Sequence, residues 1–529
     1  MKSFLLFLVV IISVPPIFIS CSAHKADIIM TNGKIFTSDT NQLYVEAIAI
    51  QGDSIIAVGT NAEIEKLAST ETKKIDLDGK TVVPGFNDAH DHPGWMPPSA
   101  NAYVVEFTVP GPDKKSVLDS IARIMQHAKP GEWITGGIGL NVLYDVTIRK
   151  SLDSLCPENL VQLQALWGHG AVVNSSAMKK LGISDGDPDP LGGWYVRDRI
   201  SGKLTGALYE YAQWPAWQLI SKVNHEGVIK SLSGLSDLQL SKGITSVQYM
   251  SFDFPGSGSD AFSKAKLLQR IRIIPFPGHK NGARDLSPWQ HVNRNPAPNI
   301  YVSGVKYILD GTPFEQSAMN RKPYPGNNNW FGRLNFPIDT MKQILQTAYN
   351  SDEQLLMHIV GDSTMHIVLK MMKGIGKDEV WRTKRIRFEH NSTSDATDED
   401  IRMISEMGII IAHTPKYNHS SKLKSLMSKG ITVSISPDGT DNPFVDVMMI
   451  TNQMVNPDEN VSIEEAVIAY TRNNAWAEFM ENKKGTLMPG KLADLAVLSQ
   501  DIFTIPKDKL PVTNSVLTMV GGKIVYDKR

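Results

Sequence analysis

His90 and His92 close the stretch Lys80-Thr81-Val82-Val83-Pro84-Gly85-Phe86-Asn87-Asp88-Ala89-His90-Asp91-His92, two residues apart. The β-branched run at its start reads as a strand. On an extended chain, residues i and i+2 point to the same face. Two imidazoles there can hold one metal ion from one side. A bare His-x-His also occurs on ordinary half-exposed strands, so its meaning depends on what else converges. Five further groups stand at or near the ends of short apolar runs: Lys306, His358, His390 after Glu389, His413, and Asp438 in Ser436-Pro437-Asp438-Gly439. Singly, each reads as a solvated or hydrogen-bonded side chain. Together they have the ligand types of a divalent-metal site.

The elements that must bring them together are strands alternating with helices. The apolar runs are Gly243 to Tyr249, Arg270 to Phe276, Val302 to Leu309, Gln354 to Ile359, Arg385 to Glu389, Gly408 to Ala412 and Ile431 to Ile435. Helix-like stretches separate them, among them Thr340 to Tyr349, Ser363 to Lys373 and Asp398 to Glu406. This alternation predicts a parallel α/β fold. With the strand ending at His90 the runs number eight, the count of a (β/α)8 TIM barrel, whose catalytic residues sit at the carboxyl ends of the strands. Residues from about 97 to 225 interrupt that rhythm and are expected to form an inserted cap over a pocket. Both chain ends carry short strand patterns. Asn32-Gly33 predicts a hairpin, and Gly52-Asp53 and Asp78-Gly79 mark two more strand pairs; Asp494 to Leu498, Ser515 to Met519 and Gly521 to Tyr526 match them. The expected organisation is a composite β-sandwich from residues 22–83 and 485–529, with the barrel over 84–484.

The chain has 529 residues, 42% hydrophobic and 21% charged, with a net charge of -1. That is enough material for a large core, and no global field recruits nucleic acid or an anionic membrane. Lys2 precedes an apolar run from Phe4 to Ile19 that is broken by Pro15-Pro16. The run is short for a membrane span and reads as a secretory signal over residues 1–21. Phe18-Ile19-Ser20-Cys21 resembles a bacterial lipobox, with Phe18 where leucine is usual. Lipidation of Cys21 would give a periplasmic or membrane-anchored lipoprotein, touching the membrane only through that anchor; the alternative is a soluble exported protein. Cys156, the other cysteine, is then a packed thiol.

Pro84 to His92 matches Pro-Gly-Phe-x-Asp-x-His-x-His, and here the chain resembles the amidohydrolase superfamily of metal-dependent hydrolases, most closely amidohydrolase family 3. Supporting segments are Gly304 to Gly311, His358-Ile359-Val360-Gly361-Asp362, Arg385 to His390, His169 with Asn174-Ser175, Gly490 to Asp494 and Gly521-Gly522-Lys523. The resemblance implies that His90 and His92 ligate a first metal and that His358 and His390 ligate a second. It implies that Lys306 is the lysine that carboxylation can turn into a bridge, and that Asp438 is the aspartate that both ligates metal and moves the proton. Pro437 stands where the family pattern runs Ser-Asp, which makes Asp441 a rival for Asp438.

The implied cofactor is one or two divalent ions, zinc first. The implied activity is hydrolysis of a carbon–nitrogen bond in a small-molecule amide, N-acyl or N-formyl compound. Zinc lowers the pKa of bound water to about 7, and a lysine carbamate behaves as a carboxylate where an ammonium has no lone pair. His169 is a candidate for contacting the oxyanion or substrate, with a structural hydrogen bond as the alternative. Glu210 and Asp310 are further pocket candidates, and His413 is a candidate supporting group. Two other functions share these residues: hydrolysis of esters or cyclic amides, and metal or ligand binding without turnover.

Overall fold

The computed structural model describes residues 25–92, 99, 101–103, 110–251, 257–277, 292–390, 393–417, 421–439 and 442–529. Cys21, the expected signal segment and Asp441 lie outside the described residues.

The chain is a mixed α/β fold whose centre is made of parallel strands. These are β1 (Phe86–Asp91), β2 (Ile244–Ser251), β3 (Arg270–Pro275), β4 (Ile300–Val302), β5 (Val305–Ile308), β6 (Leu355–His358), β7 (Arg387–Glu389), β8 (Ile410–His413) and β9 (Val433–Ile435). They make a four-stranded sheet, β4-β3-β2-β1, and a five-stranded sheet, β5-β6-β7-β8-β9. Helices Ile338–Asn350, Asp362–Ile375, Asp398–Met407 and Leu423–Ser428 lie between successive strands of the second sheet. Strands covered on both faces read as continuous rather than alternating apolar runs. Accordingly, every residue of β1 and β2 is buried.

β4 and β5 belong to different sheets although only Ser303-Gly304 separates them. The fully buried Arg272 spans this break: its guanidinium donates to Ser303 Oγ (2.9 Å), Gln248 Oε1 (3.2 Å) and Gln354 Oε1 (2.8 Å). At the other junction, a side chain joins β1 to β9. Asn474 Nδ2 donates to Asn87 O (2.6 Å) and to Ile435 O (2.7 Å), and its Oδ1 accepts from Ser434 Oγ (2.6 Å).

Both chain ends contribute to one pair of β-sheets. Ser54–Gly59, Ala47–Gln51, Ile28–Thr31 and Lys73–Asp76 form four strands in that order. Lys523–Asp527, Ser515–Val520, Leu495–Leu498, Thr81–Pro84, Lys34–Phe36 and Tyr44–Val45 form six. Their apolar faces share a cluster that includes Met30, Ile48, Val82, Leu495 and Leu517. The Gly52-Asp53 turn does join a hairpin, but the hairpin expected at Asn32-Gly33 is not one. Ile28–Thr31 pairs with Ala47–Gln51, whereas Lys34–Phe36 crosses to the other sheet and pairs with Thr81–Pro84. Asp78-Gly79 is a crossing of the same kind. The two crossings are bonded to each other, Gly79 N donating to Asn32 O at 2.7 Å.

Gly85 marks the step from the terminal sheets into β1. A Cβ there would lie 2.1 Å from Thr245 Oγ1 on the neighbouring strand, so the close approach of β1 to β2 requires glycine. Between β1 and β2 in sequence, Gly193–Arg197, Leu204–Glu210, Gly170–Val173, Leu160–Ala165, Trp133–Ile138 and Asn101–Ala102 form a separate six-stranded sheet with an apolar core of its own. No described helix is long and apolar enough to cross a membrane.

Asp400 ties the loop after β5 to two of the helices. It caps Asp398–Met407 in a reciprocal box with Thr397 and accepts from Arg321 NH2 (2.8 Å) and His366 Nδ1 (2.7 Å). Burial pushes its carboxyl up, but these bonds outweigh that and hold it at about 2. A depressed folded-state pKa stabilises the protein above the ordinary carboxylate range, and the contribution is lost as pH falls through the folded value. Melting temperature should therefore drop between pH 4 and 2, and Asp400→Asn should lower it at pH 7 while flattening that acid limb.

Candidate metal and catalytic site

The carboxyl ends of the parallel strands bring four histidines together. Ring centroids lie 5.3 Å apart for His90 and His92, 4.4 Å for His90 and His390, and 4.7 Å for His358 and His390. β1 carries His90 and ends at Asp91, one residue before His92, and β6 ends on His358. His390 follows β7, with φ +61, and Asp438 follows β9, with φ +47. Left-handed backbone is uncommon for residues other than glycine and clusters at functional sites. Here it turns both side chains inward off their strand ends.

Asp438 sits among the rings. Its Oδ1 is 3.8 Å from His92 Nε2 and 4.0 Å from His90 Nε2, and its Oδ2 is 3.5 Å from His390 Nδ1. Oδ1 is buried and has no hydrogen-bond partner. Buried polar atoms are seldom left unpaired, and this one faces imidazole nitrogens. One ligand atom each from His90, His390 and Asp438 lies within 4.8 Å of the others. Lys306, on β5, is 1% exposed and places Nζ 3.1 Å from His90 Nε2.

The electrostatics suit a cation. Burial, reinforced by Lys306, holds His92 down at about 3. Burial also pushes His90, His358 and His390 well below the usual imidazole range. All four rings are therefore neutral and carry a lone pair. Burial lowers Lys306 to about 8 against the pull of Glu389 and Asp438. Burial raises Asp438 to about 6, opposed by Lys306, His169 and Lys416. Neutral imidazoles, a deprotonatable lysine and an orphaned carboxylate oxygen fit a divalent ion.

The ligand candidates are held from behind. His90 Nδ1 meets Glu389 Oε2 at 2.5 Å, and Arg387 donates to both oxygens of Glu389 (2.8 and 3.0 Å) and to Ala89 O (2.8 Å). His92 Nδ1 is 3.0 Å from Met250 O. Neither Glu389 nor Arg387 stands out in the sequence as a site residue. Their signal is the strand period: residues 387 and 389 share one face of β7. Glu389→Gln should weaken metal binding about 10- to 100-fold, as measured by chelator competition, because the His90 ring loses its anionic anchor.

His169 reaches the same place from the inserted sheet, with its ring centroid 4.5 Å from that of His358. Its Nδ1 is 3.0 Å from both oxygens of the buried Glu210. Burial works against the charged ring, but the Glu210 carboxylate wins and raises it to about 9. A pocket opens beside these groups, lined by His92, His169, Lys306, His358, His390 and Asp438 together with Trp167, Trp214, Trp217, Phe276 and Gln213. The Trp217 indole is fixed by donation to Gln164 Oε1 (2.9 Å).

Asp310, a pocket candidate, and His413, a candidate supporting group, have hydrogen-bond partners outside the imidazole cluster. Asp310 is fully buried and accepts from Val360 N (3.0 Å), Gly361 N (2.8 Å), Met319 N (3.2 Å) and Thr364 Oγ1 (2.7 Å). Its oxygens are consumed in locking the loop after β5 to the turn after β6. His413 ends β8, but its Nδ1 is 3.2 Å from Ser421 Oγ. It lines a separate groove with Met448, Met449 and Met454.

A model described as the amidohydrolase family matches residues 73–526. The chain is 26% identical over 556 residues to Protein LONG AFTER FAR-RED 3 of Arabidopsis thaliana, covering 95% of this chain and 92% of that protein. It is 25% identical over 550 residues to N-substituted formamide deformylase of Arthrobacter pascens, covering 95% and 98%. Among solved structures, an uncharacterized metal-dependent hydrolase from Pyrococcus furiosus shares the fold, with a TM-score of 0.67 at 20% identity, covering 90% of this chain and 100% of that one. With the family model matched over residues 73–526, well over half of the chain, the chain belongs to the amidohydrolase family.

Proposed function

We propose that this protein hydrolyses a carbon–nitrogen bond of a small molecule, an amide or an N-acyl or N-formyl compound. In this reading β1 to β9, with β4 and β5 counted as two pieces of one interrupted strand, close into one (β/α)8 barrel, residues from about 97 to 225 cap it, and residues 22–83 and 485–529 form a composite β-sandwich. His90, His92, Lys306, His358, His390 and Asp438 would hold one or two divalent ions, zinc first by ligand type, with Lys306 as a carbamate where two are bound. Such an ion supplies an activated water and a polarised carbonyl.

The chain's own groups do the rest. Asp438 takes a proton from the attacking water on its carboxylate and returns it to the leaving amine, as an acid–base group placed beside the reacting atoms can. His169 contacts the carbonyl oxygen or the substrate from the cap side. Trp217 and Phe276 wall the pocket and exclude water. The observation that carries this reading is the convergence of His90, His390 and Asp438 ligand atoms within 4.8 Å around a carboxylate oxygen with no other partner. The formamide deformylase named above gives the bond type to try first.

The test is metal analysis of the purified protein together with turnover of a panel of N-formyl and N-acyl amines, esters and cyclic amides. Stoichiometric metal and turnover of the amides are expected. Bound metal with no turnover of any acyl compound would overturn the assignment in favour of a binding protein. We also propose export, with lipidation at Cys21. Labelled palmitate should be incorporated by the full chain and not by Cys21→Ser.

A further inference from the structure

The inserted sheet delivers two side chains to the imidazole cluster. His169 lies in the turn between Leu160–Ala165 and Gly170–Val173, and Glu210 is the last residue of Leu204–Glu210. They are joined twice. The two Glu210 oxygens are each 3.0 Å from His169 Nδ1, and Glu210 N donates to His169 O at 3.2 Å. Glu210 is fully buried and has φ +51, a left-handed backbone that a non-glycine residue rarely adopts.

The loop after the strand bearing Lys306 leaves room for this carboxylate. A Cβ on Gly311 would lie 2.8 Å from Glu210 Oε1 and 1.9 Å from Ser317 Oγ. The carbonyl of Gly311, in turn, sits 3.4 Å from His358 Nε2. Glu210 is thus seated between the cap and the strand-end loop that faces a candidate metal ligand. With Nδ1 engaged, the edge of His169 left to the pocket is Nε2.

We infer that Glu210 is a positioning residue: it pins the His169 ring through Nδ1 so that Nε2 faces the space beside His358 and Asp438 where a scissile carbonyl would lie. A carboxylate present only to satisfy a packed histidine would need neither the left-handed backbone nor the cleared position at residue 311. The kinetic part of this inference rests on the hydrolase reading; the geometric part does not.

The experiment compares Glu210→Gln, Glu210→Asp, His169→Asn and the double variant Glu210→Gln/His169→Asn with the native holoenzyme. In ¹⁵N-histidine NMR spectra, the Nδ1–H signal of His169, assigned by its loss in His169→Asn, is expected downfield and slow to exchange. It should move upfield or broaden in Glu210→Gln, with bound metal unchanged, and be partly restored in Glu210→Asp, which keeps the charge and guards against a misfolded first variant. In turnover, Glu210→Gln should lower kcat on the order of 10-fold with KM little changed. In the His169→Asn background the same change should add less than a factor of about 2. An unshifted His169 signal in Glu210→Gln, or fully multiplicative kinetic effects, would overturn the positioning role. If no amide is turned over by the native protein, the proposed function fails while the NMR comparison still decides this one.

Discussion

Asp438→Asn is expected to lower kcat about 10³-fold or more, roughly 4 kcal/mol of barrier. The asparagine is nearly isosteric, so the left-handed turn at residue 438 has no reason to relax. What changes is chemistry at one atom. Oδ1 faces His90 and His92 Nε2 at 4.0 and 3.8 Å and has no other partner. An amide in its place takes up no proton and is a weaker metal ligand. Those two losses separate by measurement: bound metal by elemental analysis, and kcat on the metal-replete protein. Near-normal turnover in a replete variant would remove Asp438 from proton transfer.

His90→Ala should be the most damaging single change to the candidate metal site. Bound metal should fall well below stoichiometry, and turnover should fall by about 10³-fold or more. His90 stands between Lys306 Nζ at 3.1 Å and Glu389 Oε2 at 2.5 Å, with its side chain fully buried. Removing the ring opens a void at the centre of the cluster and leaves Glu389 with Arg387 alone. An unmade buried hydrogen bond of this kind costs about 1–3 kcal/mol, so the melting temperature should drop as well. Metal retained at full stoichiometry in His90→Ala would show that the ion sits elsewhere.

The residues of this site were legible in the sequence to the extent that their position on a strand determined their direction. His90 and His92 are two apart on extended chain, and Lys306, His358, His390 and Asp438 follow or lie within apolar runs; the fold gathers them about one pocket. Where the outcome depended on a distant partner, the string carried no mark of it. Asn32-Gly33 has the local chemistry of a hairpin turn, yet burial of Lys34–Phe36 beside Thr81–Pro84 redirects the chain. Asp310 and His413 obey the same strand-end logic as the ligand candidates. Backbone donors from residues 360 and 361 capture the first, and Ser421 takes the second. Glu389 was hidden differently. Successive residues on a strand point opposite ways, so Glu389 and His390 should not both face inward. They do because residue 390 leaves the strand with φ +61.

The Asn474 amide that clasps β1 to β9 also sets an order of events in folding. It lies 387 positions after the Asn87 carbonyl it binds. β1 is therefore synthesised long before the group that secures it. Nascent chains stopped short of residue 474 would carry His90 and His92 without the clasp, and contacts of such long sequence separation form late. The candidate metal site, on this account, is among the last parts of the molecule to mature.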